Sequence, residues 1–262
     1  GFRSNNFGAM LDELAPRLPA LKQTVYFGKQ RSGSAMTWDD LIEKSKTVSE
    51  RELREREAAL RCSDPVNIQY TSGTTGTPKG ATLTHHNILN NGFFVGERLQ
   101  YTSADRICLP VPFYHCFGCV MGSLAALTHG SAIILPSESF DAQDCLAGIQ
   151  EERCTSLYGV PTMFIAELEH PRFASFDLTS LRTGLMGGAP CPVEVMNQVR
   201  TKMHMHGVSI VYGMTETSPV STQTSMDDPV DKRVETVGRA HAHVEVKIID
   251  ATGAIVPKGV PG

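Results

Sequence analysis

Residues 70–80 read Tyr-Thr-Ser-Gly-Thr-Thr-Gly-Thr-Pro-Lys-Gly, a composition that suits the binding of a polyphosphate. The three glycines let the backbone turn so that successive N–H groups point at one anion. Hydroxyl side chains and Lys79 add further donors. The spacing differs from the P-loop of kinases and GTPases, because Pro78 stands directly before the lysine where that loop has glycine. The alternative is a Gly/Thr-rich surface turn without a ligand.

Short apolar strands alternate with helical segments from Pro65 onward, and this rhythm predicts the framework that holds the glycine-rich stretch. The expected strands are 66–70, 106–109, 132–135, 155–158, 183–186 and 208–212, and the expected helices are 85–99, 117–128, 141–152, 161–169 and 192–204. We expect an α/β fold with mostly parallel sheets, helices on both faces and ligands at the carboxyl ends of the strands. The glycine-rich stretch would follow the first strand, expected to be buried, and precede a helix that begins near Thr84.

Changes of pattern along the chain predict three parts. Residues 1–62 form an N-terminal segment in which Thr37 with Asp40, and Ser49 with Glu52, have the spacing of helix capping boxes. The second box opens a charged surface helix. Residues 63–228 form the α/β core, and residues 229–262 begin a small β unit. In that unit, residues 244–249 alternate with period two before a turn at 250–253.

The composition excludes several classes of protein. With 262 residues, 41% hydrophobic and 20% charged, the chain has the balance of a soluble globular protein. Its net charge of −4 and lack of a basic block argue against a nucleic-acid partner. The apolar stretch 117–127 is too short for a membrane span. Seven cysteines indicate free thiols in a reducing compartment, and the pair Cys116 and Cys119 lacks a second pair that would complete a zinc site.

Three motifs together resemble those of the adenylate-forming superfamily, which comprises acyl- and aryl-CoA synthetases, luciferases and peptide-synthetase adenylation domains. Residues 70–80 resemble its signature loop, residues 186–190 (Met-Gly-Gly-Ala-Pro) a second motif, and residues 212–217 (Tyr-Gly-Met-Thr-Glu-Thr) a third. They occur in the expected order, which makes the match specific. Within the superfamily the likeness is to the mitochondrial medium-chain acyl-CoA ligases. It implies the layered large N-terminal domain of these enzymes and a mitochondrial location.

The resemblance implies a role for each matching residue. The loop would hold the β- and γ-phosphates of ATP, residues 188–190 would line the adenine pocket, and Tyr212 would stack on the base. Thr215 would touch the α-phosphate, and Glu216 would coordinate Mg²⁺, which prefers carboxylate and phosphate oxygens. The implied nucleotide-binding residues are Thr71, Ser72, Gly73, Thr74, Thr75, Gly76, Lys79, Gly188, Ala189, Pro190, Tyr212, Gly213, Met214 and Thr215.

The acyl side is assigned by a further likeness, to residues 112–118. There the resemblance implies that His115 orients the substrate carboxylate against the α-phosphate, so that His115, Thr215 and Glu216 are the expected catalytic residues. Amino-acid-activating relatives place an aspartate near this segment, and none stands between Pro110 and Gly118. The apolar residues 158–163 resemble the family's acyl-pocket wall. A fatty acid is therefore the expected substrate, with CoA as co-substrate.

In the family, a ribose-binding aspartate, an arginine, the catalytic lysine and the CoA site follow the β unit, and their motifs do not occur within residues 1–262. We therefore expect a piece of the large domain that has little activity by itself. Two alternatives stay open: a catalytically silent nucleotide-binding module, and a phosphotransferase that moves a γ-phosphoryl group. A ligase would convert ATP to AMP and pyrophosphate, a silent module would form no product, and a phosphotransferase would form ADP.

Overall fold

A computed structural model describes residues 6–27, 35–73 and 76–262 of the chain. The chain divides into two units, Gly1–Arg61 and Cys62–Gly262. The functional division into 1–62, 63–228 and 229–262 stays a prediction. None of the helices in the described ranges combines the length and the apolarity that crossing a lipid bilayer requires.

The first unit consists of short helices around a small parallel strand pair. Its elements are α1 (Phe7–Leu14), β1 (Val25–Tyr26), β2 (Met36–Thr37), α2 (Trp38–Ser45) and α3 (Glu50–Ala59). Both expected capping boxes are present, and they set the starts of α2 and α3. An ion pair of 3.6 Å joins Arg54 to Glu50 along the exposed α3. The prediction of a charged surface helix is therefore confirmed.

The second unit begins with an antiparallel hairpin that carries the glycine-rich loop. Strand β3 (Pro65–Thr71) pairs with β4 (Lys79–Thr84), so that Thr71 lies opposite Lys79. Two expectations are wrong here. The strand that precedes the loop is not part of the main sheet, and Gln69 is its one buried residue. The loop is followed by a second strand before the helix begins.

The main sheet of the described chain has seven strands in the order β11-β10-β9-β8-β7-β5-β6. They are β5 (Arg106–Cys108), β6 (Ala132–Ile134), β7 (Ser156–Gly159), β8 (Thr183–Gly187), β9 (Gly207–Gly213), β10 (Val220–Gln223) and β11 (Arg239–Ala240). The first five are mutually parallel, whereas β10 runs antiparallel to both of its neighbours. The mostly parallel sheet is therefore confirmed.

Helices cover both faces of this sheet. They are α4 (His85–Arg98), a wide π-helical segment (Phe117–Leu124) that continues into α5 (Ala125–His129), α6 (Ala142–Glu152), α7 (Pro161–Leu168), α8 (Val193–Lys202) and α9 (Val230–Glu235). Successive strand residues point to opposite faces, so Leu157 and Met186 join one core while Tyr158 and Leu185 join the other. The first core is covered by α6, α7 and α8, and the second by α4, the π segment and α5.

Two helical starts show how local sequence sets the geometry near the site. Thr84 caps α4 in a reciprocal box with Asn87, which confirms the expected helix start. The single helix expected over 117–128 instead begins as the π segment. There the Ser123 hydroxyl donates to the Gly118 carbonyl, five residues earlier, at 3.3 Å.

The strand expected over residues 244–249 does not form. In the described structure this stretch has one isolated bridge, between Ile249 and Ile255. Val246 and Ile248 are about half exposed. An alternating pattern specifies which side chains share a face, but a strand also needs a neighbour to complete its backbone ladder.

A buried carboxyl in α7 gives a pH-dependent prediction. Burial raises the pKa of Glu167 from 4.5 to about 8. Because the folded state then holds the proton more tightly than the unfolded state, the free energy of unfolding falls as pH rises from about 5 to about 8, by up to ~1.4 kcal/mol per unit. Glu167→Gln keeps the shape and should flatten this slope, as measured by denaturant unfolding at several pH values.

Glu169→Gln is the matched control, since Glu169 is exposed and lies just past the end of the same helix. It should keep the wild-type slope. A wild-type protein equally stable across this pH range would contradict the assignment of a neutral buried Glu167.

Candidate functional site

A cleft of about 1160 Å³ lies at the carboxyl end of the central strands of the second unit. It brings together site residues that are far apart in the sequence. The expected residues that line it are Thr71, Ser72, His115, Gly188, Ala189, Pro190, Tyr212, Gly213, Met214, Thr215 and Glu216. Thr74 and Thr75 lie outside the described residues. Gly73, Gly76 and Lys79 do not line the cleft.

Lys79 nevertheless lies next to the glycine-rich loop. A Cβ atom placed on Gly73 would be 3.7 Å from Lys79 Cε, so the lysine side chain runs along the loop backbone. The pairing of Thr71 with Lys79 closes the hairpin and fixes both ends of the loop. The loop is thus held beside the cleft with a cationic side chain along it.

The register of two parallel strands forms the expected adenine wall. Gly187, the last residue of β8, pairs with Val211 of β9. The residues that follow each strand, 188–190 and Tyr212, therefore lie side by side at the same edge of the sheet. Tyr212 is 52% exposed and lines the cleft, so its aromatic ring is accessible to a flat ligand.

A tight turn after β9 presents Glu216. The chain makes one 3₁₀ turn at Thr215–Thr217 and then returns antiparallel as β10. Inside this turn, the Thr217 hydroxyl donates to the Pro219 carbonyl at 2.6 Å. Glu216 stays exposed at the turn and accepts a hydrogen bond from the Thr71 hydroxyl at 3.3 Å. The expected metal carboxylate therefore contacts Thr71 of the glycine-rich loop.

The oxygen donors at this position fit magnesium. Among the residues that the structure describes, no group of three His, Cys, Asp or Glu side chains could hold a metal by itself. Magnesium is usually bound by one or two carboxylates together with phosphate oxygens and waters, so a carboxylate beside a loop that is expected to bind phosphate is a suitable protein contribution. The Glu216 carboxylate and the Thr71 hydroxyl are both hard oxygen donors.

The acyl-side segment fixes the tautomer of His115. The Phe117 backbone N–H donates to His115 Nδ1 at 3.0 Å. In neutral imidazole one nitrogen donates and the other accepts, so the proton lies on Nε2. His115 is exposed to the cleft and can donate this hydrogen to a carboxylate.

Two thiols line the cleft without being nucleophiles. Burial raises the pKa of Cys116, and it raises the pKa of Cys191 to about 11. Both thiols therefore stay protonated at neutral pH, whereas the nucleophilic form of cysteine is the thiolate. Cys116 Sγ lies 3.7 Å from both His115 Nδ1 and Thr215 Oγ1, so its contacts connect two expected catalytic residues.

The sequence did not reveal that residues 233–237 also line the cleft. In the described chain, Arg233 is the one lysine or arginine of the lining, and its guanidinium is occupied by backbone carbonyls. It donates to the carbonyls of His206, Val208, Met226 and Asp228. Arg233 therefore holds α9 against β9. No sequence motif identifies an arginine that donates to backbone carbonyls, so Arg233 could not be predicted.

The family follows from comparison with known proteins. The model for AMP-binding enzymes matches residues 4–262. The chain belongs to the AMP-binding enzyme family. This membership confirms the resemblance to adenylate-forming enzymes, and the order of the three motifs is that of a family member.

Two curated relatives are similar over nearly the whole chain. YngI of Bacillus subtilis strain 168 is 50% identical over 247 residues, covering 94% of this chain and 45% of YngI. The mitochondrial medium-chain acyl-CoA ligase ACSF2 of Danio rerio is 42% identical over 277 residues, covering 100% of this chain and 46% of ACSF2. The chain thus spans about half the length of the curated relatives it matches.

A solved structure confirms the fold. The anthranilate CoA ligase AuaEII, solved in complex with anthranoyl-AMP, matches with a TM-score of 0.83 and 23% identity. The match covers 96% of this chain and 47% of that one. The α/β architecture is therefore that of adenylate-forming enzymes.

The glycine-rich loop gives a prediction about ATP affinity. Gly76 has φ +80°, and among the described residues no atom beyond its chain neighbours lies within 4 Å of a Cβ placed on it. Gly76→Val therefore acts through backbone strain and through obstruction of a bound phosphate, and not through a clash inside the protein. We expect the Kd for ATP of the full-length protein to rise about tenfold or more, measured by calorimetry.

Gly253→Val is the matched control. Gly253 has φ +87° and equally open surroundings, but it lies in the turn after residue 249. The control should carry similar strain and leave the Kd for ATP unchanged. Equal affinities of the wild-type and Gly76→Val proteins would remove the loop from the nucleotide site.

Proposed function

We propose that the protein is an acid–thiol ligase that activates a medium-chain fatty acid at this cleft. A carboxylate oxygen attacks the α-phosphorus of ATP, the bond to pyrophosphate breaks, and an acyl-adenylate forms. The thiol of CoA then attacks the acyl carbon, loses its proton and displaces AMP. The proposal rests mainly on one observation, that residues of the phosphate loop, the adenine wall and His115 line a single cleft.

Each group has a task that its position supports. His115 donates from Nε2 to the fatty carboxylate and holds it toward the α-phosphate, and Thr215 hydrogen-bonds that phosphate. The loop amides and Lys79 receive the β- and γ-phosphates. Magnesium held by Glu216 would neutralise charge on the leaving pyrophosphate. Apolar side chains of the cleft, including Phe117, Met121 and Val211, suit a hydrocarbon chain.

The charges of the cleft bear on what residues 1–262 can do alone. Among the described lining residues, Glu216 and Glu235 are acidic, and the one arginine is already bound to carbonyls. We infer that the 262-residue chain binds ATP weakly and forms acyl-adenylate slowly. The described lining has no free cationic side chain to stabilise charge on the phosphates, and the loss of one such donor typically costs about 100- to 1,000-fold in rate. A silent nucleotide-binding module is the alternative function.

Product analysis tests the proposal. The full-length protein is incubated with ATP, Mg²⁺, CoA and octanoate, and the products are identified by mass spectrometry. AMP, pyrophosphate and octanoyl-CoA are the expected products, whereas ADP would indicate a phosphotransferase and no product a silent module. Octanoate-driven exchange of labelled pyrophosphate into ATP then compares the full-length protein with the 262-residue chain. Equal rates would overturn the inference about the shorter chain.

The location in the cell is proposed from the relatives alone. The ACSF2 proteins of fish and mammals are named mitochondrial, and we propose the same compartment for this protein. Fractionation of cells that express the full-length protein, with mitochondrial and cytosolic markers, tests this proposal.

A further inference from the structure

The pair Cys116 and Cys119 occupies the junction of three segments of the cleft. Cys116 contacts Thr215 and His115. Cys119 lies at the start of the π segment and accepts a hydrogen bond from the Gln69 side-chain amide at 3.0 Å. Burial raises the pKa of Cys119, so the acceptor is a neutral thiol.

The hairpin that carries the phosphate loop depends on such side-chain contacts. In the described structure, β3 and β4 pair with each other and not with the seven-stranded sheet. A two-stranded hairpin is marginally stable by itself. Its placement beside the cleft is therefore set by the contacts that it makes with the rest of the unit.

Leu83 of β4 packs in the interior of the unit, and two residues on one face of β3 add side-chain hydrogen bonds. Gln69 and Thr71 are two positions apart and so point to the same side of the strand. Gln69 reaches Cys119, and Thr71 reaches Glu216. Ile68 and Tyr70 point to the opposite side and are exposed. Gln69, with 9% exposure, is the most buried side chain of the strand.

We propose that the Gln69–Cys119 hydrogen bond positions the phosphate loop against the turn that carries His115. Both are positioning residues, since they act through the loop and neither of them lines the cleft. The bond joins the strand that enters the loop to the helical turn that follows His115. It thereby fixes the distance between the phosphates and the carboxylate. This inference rests on the proposed function for the identity of the two ligands.

The test uses the full-length protein and four variants at the pair. Cys119→Val and Gln69→Leu each remove the hydrogen bond. The double variant removes the same single bond, so its loss should not exceed that of either single variant. Cys119→Ser replaces the sulfur acceptor with a hydroxyl oxygen that can still accept the hydrogen bond from Gln69. Cys154→Val is the control for loss of a buried thiol, because Cys154 lies in the opposite core. Calorimetry gives the Kd for ATP, steady-state kinetics the KM for octanoate, and thermal unfolding the stability.

We expect each single removal to raise the Kd for ATP about two- to tenfold, the size of one net hydrogen bond. The double variant should be no weaker than the single ones, Cys119→Ser should be close to wild type, and the KM for octanoate should stay constant. Cys154→Val should lower the melting temperature without changing the Kd. Additive losses, an unchanged Kd, or a serine variant as weak as the valine variant would each overturn the proposal.

Different results would reject the ligase function and the positioning role of the Gln69–Cys119 pair. ATP binding without acyl-adenylate would reject the ligase function, while the Kd values of the variants would still decide the role of Gln69–Cys119. Acyl-adenylate formation with identical Kd values in all variants would reject the positioning role and keep the ligase function. A wild-type protein that does not bind ATP would reject both.

Discussion

Replacing Glu216 with glutamine should reduce acyl-adenylate formation by about 100- to 1,000-fold while the protein stays folded. Glutamine keeps the length of the side chain and can still accept the hydrogen bond from the Thr71 hydroxyl. It loses the negative charge that Mg²⁺ requires. Glu216 is exposed, so the free energy of unfolding should change by less than about 0.5 kcal/mol. Pyrophosphate exchange at several Mg²⁺ concentrations measures the first effect, and thermal unfolding measures the second.

Glu194→Gln is the control for the loss of an exposed carboxylate, since Glu194 lies on α8 and does not line the cleft. Its exchange rate should equal that of the wild type. Full activity of Glu216→Gln at limiting Mg²⁺ would reject the metal assignment. A Mg²⁺-dependent loss in Glu235→Gln alone would transfer the assignment to the other carboxylate of the cleft.

Gly213→Ala should unfold or strongly destabilise the turn that presents Thr215 and Glu216. A Cβ on Gly213 would lie 1.9 Å from the Pro219 carbonyl oxygen and 3.0 Å from the Ser221 nitrogen. Both are backbone atoms of the returning chain, so relief requires that β9 and β10 separate. We expect a loss of about 3 kcal/mol in the free energy of unfolding, at the upper end of overpacking effects. Denaturant unfolding measures it.

Gly148→Ala is the matched control, and its effect should have the opposite sign. Gly148 lies inside α6, and the nearest atom to its added Cβ is Pro136 Cβ at an ordinary 3.5 Å. Alanine is favoured over glycine in a helix interior by about 0.5–1 kcal/mol. If Gly213→Ala retained both wild-type stability and wild-type ATP affinity, the close contact between the two strands would be refuted.

The sequence predicted the parts of the fold whose signals are local. The strands that became β5 to β9 are short, apolar and bounded by helices, so a parallel sheet between helices could be predicted from the sequence. Strand β4 was missed because it buries one residue, Leu83, and reads as a polar continuation of the loop. Residues 244–249 alternate correctly but lack a pairing strand in the described chain, a non-local requirement that periodicity does not contain.

At the candidate site, too, the sequence did not predict contacts between distant segments. His115 and Glu216 were assigned by resemblance, and the structure places them around one cleft. The lining by Arg233 and its neighbours, and the contact of Gln69 with Cys119, depend on tertiary packing between distant segments. No spacing rule relates residues 69 and 119. The roles of the assigned site residues stay predictions until the variants are measured.

The order of strands in the main sheet has a consequence for how the chain folds as it leaves the ribosome. Each strand from β7 onward pairs with one already synthesised: β7 with β5, β8 with β7, β9 with β8, and so on to β11. The pairing partner of each of these strands has thus been synthesised before the strand itself, and β5, β6, β7 and β8 all precede β9 along the chain. Tyr212 lies near the end of β9 and Glu216 in the turn after it, so this edge of the cleft is synthesised after the parallel strands that support it.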